Sequence, residues 1–453
     1  MNKVASLYNA VFKEQNRTSV VIRQALYSFL LKGVSVIISF VYVPLLLNYL
    51  DSEKYGIWLT LVTVTNWVTL FDIGLGNGLR NKLTEALADR DLKLGRTYIS
   101  TTYALLGIIT LALLLAFNAV NQFIPWNSFL NSKLIAPQEL LVVTSIAFSG
   151  TILRFFFQLI GVIFLAHQQS SMNDLINTVS SFCSLIGVAL VSLLMPPGNL
   201  ILLSAIITLT PVLVYLTFTV ISFTTRFKEL QPSISQVRLS YSKPLFLLSS
   251  QFFIVQVTAL IIYASANVLV ANLFNPSEVI LYNIAFTIFN ATIMVMTLCL
   301  SPIWSSVTEA YALRDFDYLK KMLRRLNYLS VLFSLGVLLL LAISNPLYHI
   351  WLKGKVEIPF TISLAMALYA IIYMFQAPYS AFINGMGKVR FTSFLAMPGI
   401  IVYLLGAIFI SRYLNSSAGV ITGITLSSLI GLVIQRIQVS KLLNNRAKGI
   451  WAA

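Results

Sequence analysis

Residues 84–118 read TEALADRDLKLGRTYISTTYALLGIITLALLLAFN. Six charged residues fall between Glu85 and Arg96, and none follows from Thr97 to Asn118. An apolar stretch of about 20 residues crosses a bilayer core of roughly 30 Å, so the segment reads as a charged connection feeding a membrane helix. Eleven further stretches of this kind lie on either side. The twelve spans fall at 25–50, 56–79, 98–118, 139–165, 174–194, 200–223, 244–272, 279–304, 327–345, 361–383, 391–411 and 418–435. The first lacks a small-residue cleavage site and is too long for a signal-peptide core, so it reads as a retained helix.

Composition says the same for the whole chain. Of 453 residues, 58% are hydrophobic and 10% charged, against about 25% charged in a soluble domain, which needs them to cover its surface. This argues against a cytosolic enzyme, a nucleic-acid binder or a secreted disulfide scaffold. The net charge of +16 is explained by basic loops rather than by nucleic acid. The N-terminal segment, the even-numbered connections and the tail carry 24 of the 31 Lys and Arg, and the odd-numbered connections carry five. Lys32 and Arg154, inside spans, complete the set. Both termini are therefore expected in the cytoplasm. Trp58, Trp126 and Trp351 would then lie near the outer interface and Trp304 near the inner one, as an aromatic belt. Cys183 and Cys299 sit in apolar runs and read as small buried hydrophobes.

Three boundaries follow. Val4, Leu7, Tyr8, Val11 and Phe12 have helical spacing, giving residues 1–24 as an interfacial helix. The polar connection 224–243 separates an N-lobe (25–223) from a C-lobe (244–435), and 436–453 form a cytoplasmic tail. The segment Thr84–Asp91 after span two matches Thr308–Asp315 (TEAYALRD) after span eight at six of eight positions. Two and eight differ by six, an even number, so the repeat is parallel, about an axis along the membrane normal.

The segments DSEKYGIW (51–58), FDIGLGNGLRNK (71–82), LSPIW (300–304) running into the second repeat copy, and NGMGK (384–388) resemble the polysaccharide flippases of the multidrug, oligosaccharidyl-lipid and polysaccharide (MOP) exporter superfamily, with the O-antigen (Wzx) type most similar. The resemblance spans essentially the whole chain. It implies an all-α polytopic membrane protein with two pseudo-symmetric six-helix lobes in a V, like the MATE transporters. Alternating access would move an undecaprenyl-diphosphate-linked oligosaccharide across the bacterial inner membrane. Membrane lipids and other polysaccharide-assembly proteins are the partners it implies, and no cofactor is expected.

A charge near the bilayer centre costs on the order of 3 kcal/mol, so it faces a cavity or a partner. Lys32, Ser35, Ser39 and Tyr42 form one polar stripe on span one. Thr151, Arg154, Gln158 and Gly161 form another on span four. Two cationic stripes suit a diphosphate, which Arg grips bidentately; Arg80 is a third candidate contact. The alternatives are that Lys32 snorkels to the interface and that Arg154 only pairs with Asp72. Asp72 itself has two open roles: binding H⁺ or Na⁺ for coupling, or partnering Arg154, Lys32 or Arg80. The glycines at 74, 76 and 78 read as close helix packing rather than a phosphate loop. The C-lobe stripes are neutral: Ser249, Gln256, Tyr263 and Asn267 on span seven; Asn283, Thr287, Asn290 and Thr297 on span eight; Tyr369, Tyr373, Gln376 and Ser380 on span ten. Amides and phenols of this kind hydrogen-bond and stack on sugars, or else bond helix to helix. The basic residues Lys320, Lys321, Arg324 and Arg325 serve topology or anionic head groups.

Two rivals to a lipid-linked oligosaccharide flippase are a cation-coupled drug antiporter of the same superfamily and a membrane polymerase or ligase. The first should concentrate carboxylates in its spans. The second should carry a large outer loop with catalytic Arg or His, whereas His349 and His167 have no nucleophile at hand.

Overall fold

The computed structural model describes residues 17–50, 74–129, 135–274, 276–352 and 357–452, together with residues 54, 57, 58, 61, 62 and 65. The interfacial-helix expectation for the first residues, Asp72, Asn131 and Lys355 lie outside the described residues. Helices account for the regular structure, with no strand among the described residues. Eleven helices there are long and apolar enough to cross a membrane. Span two is helical where described, at 57, 58, 61, 62 and 65 and again over Leu75–Ala88. The protein is thus an all-α, multi-pass membrane protein.

The helices outrun the apolar stretches at the ends assigned to the cytoplasm. Span one starts at Arg17, and span nine runs Phe316–Ala342, eleven residues earlier than its apolar stretch. Asp315 sets that start by accepting from the Tyr318 amide at 3.1 Å, an N-cap contact that satisfies one of the orphan donors of the first turn.

Contacts divide the chain into two units, residues 1–249 and 250–453. In unit 1, span six packs on spans four and five, and span one on span five. Two apolar cores form, one from Leu61, Leu140, Val143, Val188 and Leu203, the other from Leu79, Leu83, Ile99, Leu159, Ile163 and Phe223. The 224–243 connection is fastened to span three. Arg96 Nε donates to the Gln231 carbonyl at 2.8 Å, the Ser233 amide to Ser100 Oγ at 3.1 Å, and the Arg238 amide to Thr101 Oγ1 at 3.2 Å.

In unit 2, span ten packs on spans eight, nine and twelve, and span eleven on span twelve. Spans eleven and twelve meet through small residues. A Cβ on Gly423 would fall 2.5 Å from the Ala407 amide nitrogen, and one on Gly419 would collide with the Ser411 backbone. With no hydrophobic drive between helices in lipid, such close backbone approach supplies the packing.

The repeat is structural down to single hydrogen bonds. After span two, the amides of Asp89, Arg90 and Asp91 donate to the carbonyls of Glu85, Leu87 and Ala86; after span eight, those of Leu313, Arg314 and Asp315 donate to Glu309, Tyr311 and Ala310. Arg90 and Arg314 sit at the same left-handed φ, 58° and 55°. Asp91 then caps span three, accepting from the Leu94 amide at 2.9 Å, as Asp315 caps span nine. Spans four and ten end in the same turn, with Gln168 and Gly387 as the left-handed residues.

Two of the tryptophans expected in the aromatic belt pack inward. Trp58 and Trp126 are buried at 3% and 6% exposure in the first core of unit 1. Trp126 Nε1 donates to Asn121 Oδ1 at 2.7 Å, which satisfies the buried indole N–H.

Candidate functional site

Span four is not one helix. Pro137–Phe157 stops at Gln158, and Leu159–Ala166 continues it. Gln158 keeps its amide bond to the Arg154 carbonyl at 2.8 Å, and the Gly161 amide donates to the Gln158 carbonyl, three residues back, at 2.9 Å. The break lies between the two cores: span four gives Leu140–Phe148 to one and Leu159–Phe164 to the other.

That mid-unit layer holds two cavities that share Arg154, Phe155 and Gln158. One, of about 360 Å³, is also lined by Trp58, Thr65, Thr151, Thr208 and Pro211. The other, of about 200 Å³, is also lined by Gly76, Leu106, Asn173, Asn177 and Tyr215. Arg154 therefore faces a cavity, as its position mid-span implies. Arg154 Nη2 donates to Asn177 Oδ1 at 3.2 Å, which also accepts from the Tyr215 hydroxyl at 3.0 Å. The guanidinium carbon lies 5.8 Å from the centroid of the Tyr215 ring, within cation–π range. Its Nε is buried without a hydrogen-bond partner, and among the described residues no carboxylate pairs with it. Gly161 matters by its smallness: a Cβ there would strike Asn173 Oδ1, so the glycine lets Asn173 reach the cavity.

Lys32 is half-buried on span one and lies within electrostatic reach of Asp174 on span five. Asp174 is also within reach of Tyr215, which joins the Lys32 and Arg154 neighbourhoods. The stripe below Lys32 binds helix to helix: Ser35 and Thr178 hydroxyls pair at 3.0 Å. Arg80 is buried at 5% exposure and lines neither cavity. Asn173, Asp174, Asn177 and Tyr215 escaped the sequence reading. Their signal was present: two Asn one helical turn apart flank an Asp at the polar start of an apolar span.

In unit 2 the neutral residues join across three spans. Asn283 Nδ2 donates to Asn267 Oδ1 at 3.1 Å. The Tyr263 and Tyr369 hydroxyls meet at 2.5 Å, and those of Thr297 and Tyr373 at 3.3 Å. Gln256 lies on the same span-seven stripe and Asn290 on the span-eight stripe; neither has a hydrogen-bond partner among the described residues. Gln376 and Ser380 turn elsewhere: Gln376 packs against Gly431, and Ser380 donates to Gln435 Oε1 at 2.7 Å, both on span twelve. No cluster of His, Cys, Asp and Glu fit for a metal occurs among the described residues, and Cys183 and Cys299 are free and half-buried.

A sequence profile of the family described as polysaccharide biosynthesis protein matches residues 21–308. A protein of Salmonella typhi named as an O-antigen transporter is 22% identical over 384 residues, 80% of this chain and 83% of its own length. One of Yersinia pseudotuberculosis named as an O-antigen export protein is 22% identical over 371 residues, 79% of this chain and 81% of its own. Among solved structures, a point mutant of a MATE protein superposes with a TM-score of 0.78 at 14% identity, over 95% of this chain and 98% of that one. A MOP superfamily transporter from Pyrococcus furiosus gives 0.74 at 14% identity, over 94% and 97%. The fold is that of the MATE transporters.

Proposed function

The chain belongs to the polysaccharide biosynthesis protein family, and from that membership we propose that it is a flippase. It moves undecaprenyl-diphosphate-linked oligosaccharide from the inner to the outer leaflet of the bacterial inner membrane by alternating access, with both termini cytoplasmic. The observation that carries this reading is Arg154: a cation in the middle of unit 1, facing cavities, with one donor on a neutral amide and Nε unpartnered. A diphosphate leaving the head-group region exchanges water for protein donors, and an unpaired charge there costs several kcal/mol. Hydrogen bonds to charged groups return about 1.5–3 kcal/mol each. Lys32 adds a compact charge, and the amides and phenols of unit 2 meet the sugars. The O-antigen relatives support the substrate class.

Asp174 favours a second reading. It is a carboxylate on an apolar span beside Lys32 and Tyr215, where H⁺ or Na⁺ would bind in a cation-coupled small-molecule antiporter, and MATE transporters share the fold. Deleting the gene separates the two. A flippase strain accumulates lipid-linked repeat units on the inner leaflet and loses surface polysaccharide. An antiporter strain keeps its polysaccharide.

A further inference from the structure

Spans seven, eight and ten contain no Asp, Glu, Lys, Arg or His over 247–274, 281–303 and 360–385, yet spans seven and eight carry an accessible polar surface. On span eight Asn283, Thr287, Asn290, Met294 and Thr297 follow one another at four- and three-residue steps, which places them on one face. Thr287, Asn290 and Thr297 are exposed, as is Met294 at 39%. Tyr263 is 43% exposed and Asn267 is exposed, and both are tied to neighbouring spans through Tyr369 and Asn283. Amides open to hydrocarbon would lose their hydrogen bonds at a cost of several kcal/mol each. This face therefore meets water or a polar ligand rather than lipid tails.

We propose that this face of unit 2 selects sugars without charge, so that the repeat unit carried is built of neutral hexoses or N-acetyl sugars where it meets spans seven and eight, with no charge on span ten behind them. The inference rests on the flippase reading above. Amide and hydroxyl groups both donate and accept, which suits sugar hydroxyls, and the Tyr263 ring offers a flat apolar surface for the sugar's C–H groups. A uronic acid brings a carboxylate, which loses more hydration than a hydroxyl and finds no cation on these spans to replace it.

The test uses purified protein in proteoliposomes with two undecaprenyl-diphosphate disaccharides that differ only at C6 of the outer hexose, CH₂OH in one and carboxylate in the other. The readout is the rate at which probe loaded in the inner leaflet becomes open to oxidation by external periodate. The neutral probe should cross faster by about tenfold or more, the scale expected when a charge is left uncompensated. Asn290→Lys adds a cation at an exposed position and should shrink that ratio. Equal rates for the two probes, a faster acidic probe, or a ratio that Asn290→Lys leaves unchanged would each overturn the assignment while leaving the flippase reading intact. Failure of both probes to cross removes the flippase reading, and this inference with it.

Discussion

At Arg154 one amide oxygen, Asn177 Oδ1, serves two donors, the guanidinium and the Tyr215 hydroxyl. Loss of the guanidinium therefore removes charge from the cavities without orphaning its neighbours. Arg154→Ala should lower polysaccharide export by at least about tenfold at normal membrane levels, from the loss of one or two charged hydrogen bonds. Arg154→Lys, which keeps the charge and loses the fork, should fall between. If Arg154 merely neutralises Asp72, Ala at both positions restores export, which can be scored in the same complementation assay. His167, just beyond span four, makes a different prediction. Its Nδ1 lies 2.8 Å from the Ile163 carbonyl and its ring centroid 4.5 Å from that of Phe227. Burial pulls its pKa below the ordinary value of about 6.5, with nearby Arg226 acting in the same direction. The unfolded chain then takes up the proton first, so this stability is present at neutral pH and is lost as pH falls below about 6.5. Thermal unfolding in detergent from pH 7.5 to 5.5 should show a steeper fall in Tm for wild type than for His167→Gln.

Among the elements, the paired turns invite a matched test. Asp91 and Asp315 cap helices three and nine through equivalent amides, so Asp91→Ala and Asp315→Ala should each cost about 1 kcal/mol, and unequal losses would argue against equivalent roles. Between spans eleven and twelve, Gly423→Leu should destabilise unit 2 by roughly 1–3 kcal/mol through overpacking. Gly336→Ala on span nine, where a Cβ meets nothing, should be neutral or stabilising. Lower yield and Tm for the first variant alone would confirm the contrast. These elements also show what the sequence makes legible. Apolar length places the spans, because lipid tolerates little else, and the six matched residues of the repeat mark a turn whose hydrogen bonds recur. The break at Gln158 has no Pro or Gly at its position to announce it. The burial of Trp58 and Trp126 in the first core of unit 1 comes from packing between spans that no single span records. Asn173, Asn177 and Tyr215 matter because spans four, five and six bring them to Arg154, and no single stripe records that meeting. The neutral C-lobe stripes were visible as stripes; that Gln376 and Ser380 leave theirs for span twelve was not.

For the molecule as a whole, the charge count predicts that cysteines placed at Lys320, Lys388 and beyond Arg446 react only from the cytoplasm, and those at Asn131 and Lys355 only from outside. Labelling at 355 from the cytoplasm would break the twelve-span order. The proposed function makes the larger claim, that this chain carries a lipid diphosphate and its sugars across the bilayer. The most direct measurement is the transfer of an undecaprenyl-diphosphate oligosaccharide of neutral sugars between the leaflets of proteoliposomes that contain only this protein. The account predicts a rate well above that of protein-free vesicles. A rate no greater than theirs, from protein shown to be folded and inserted, would contradict it.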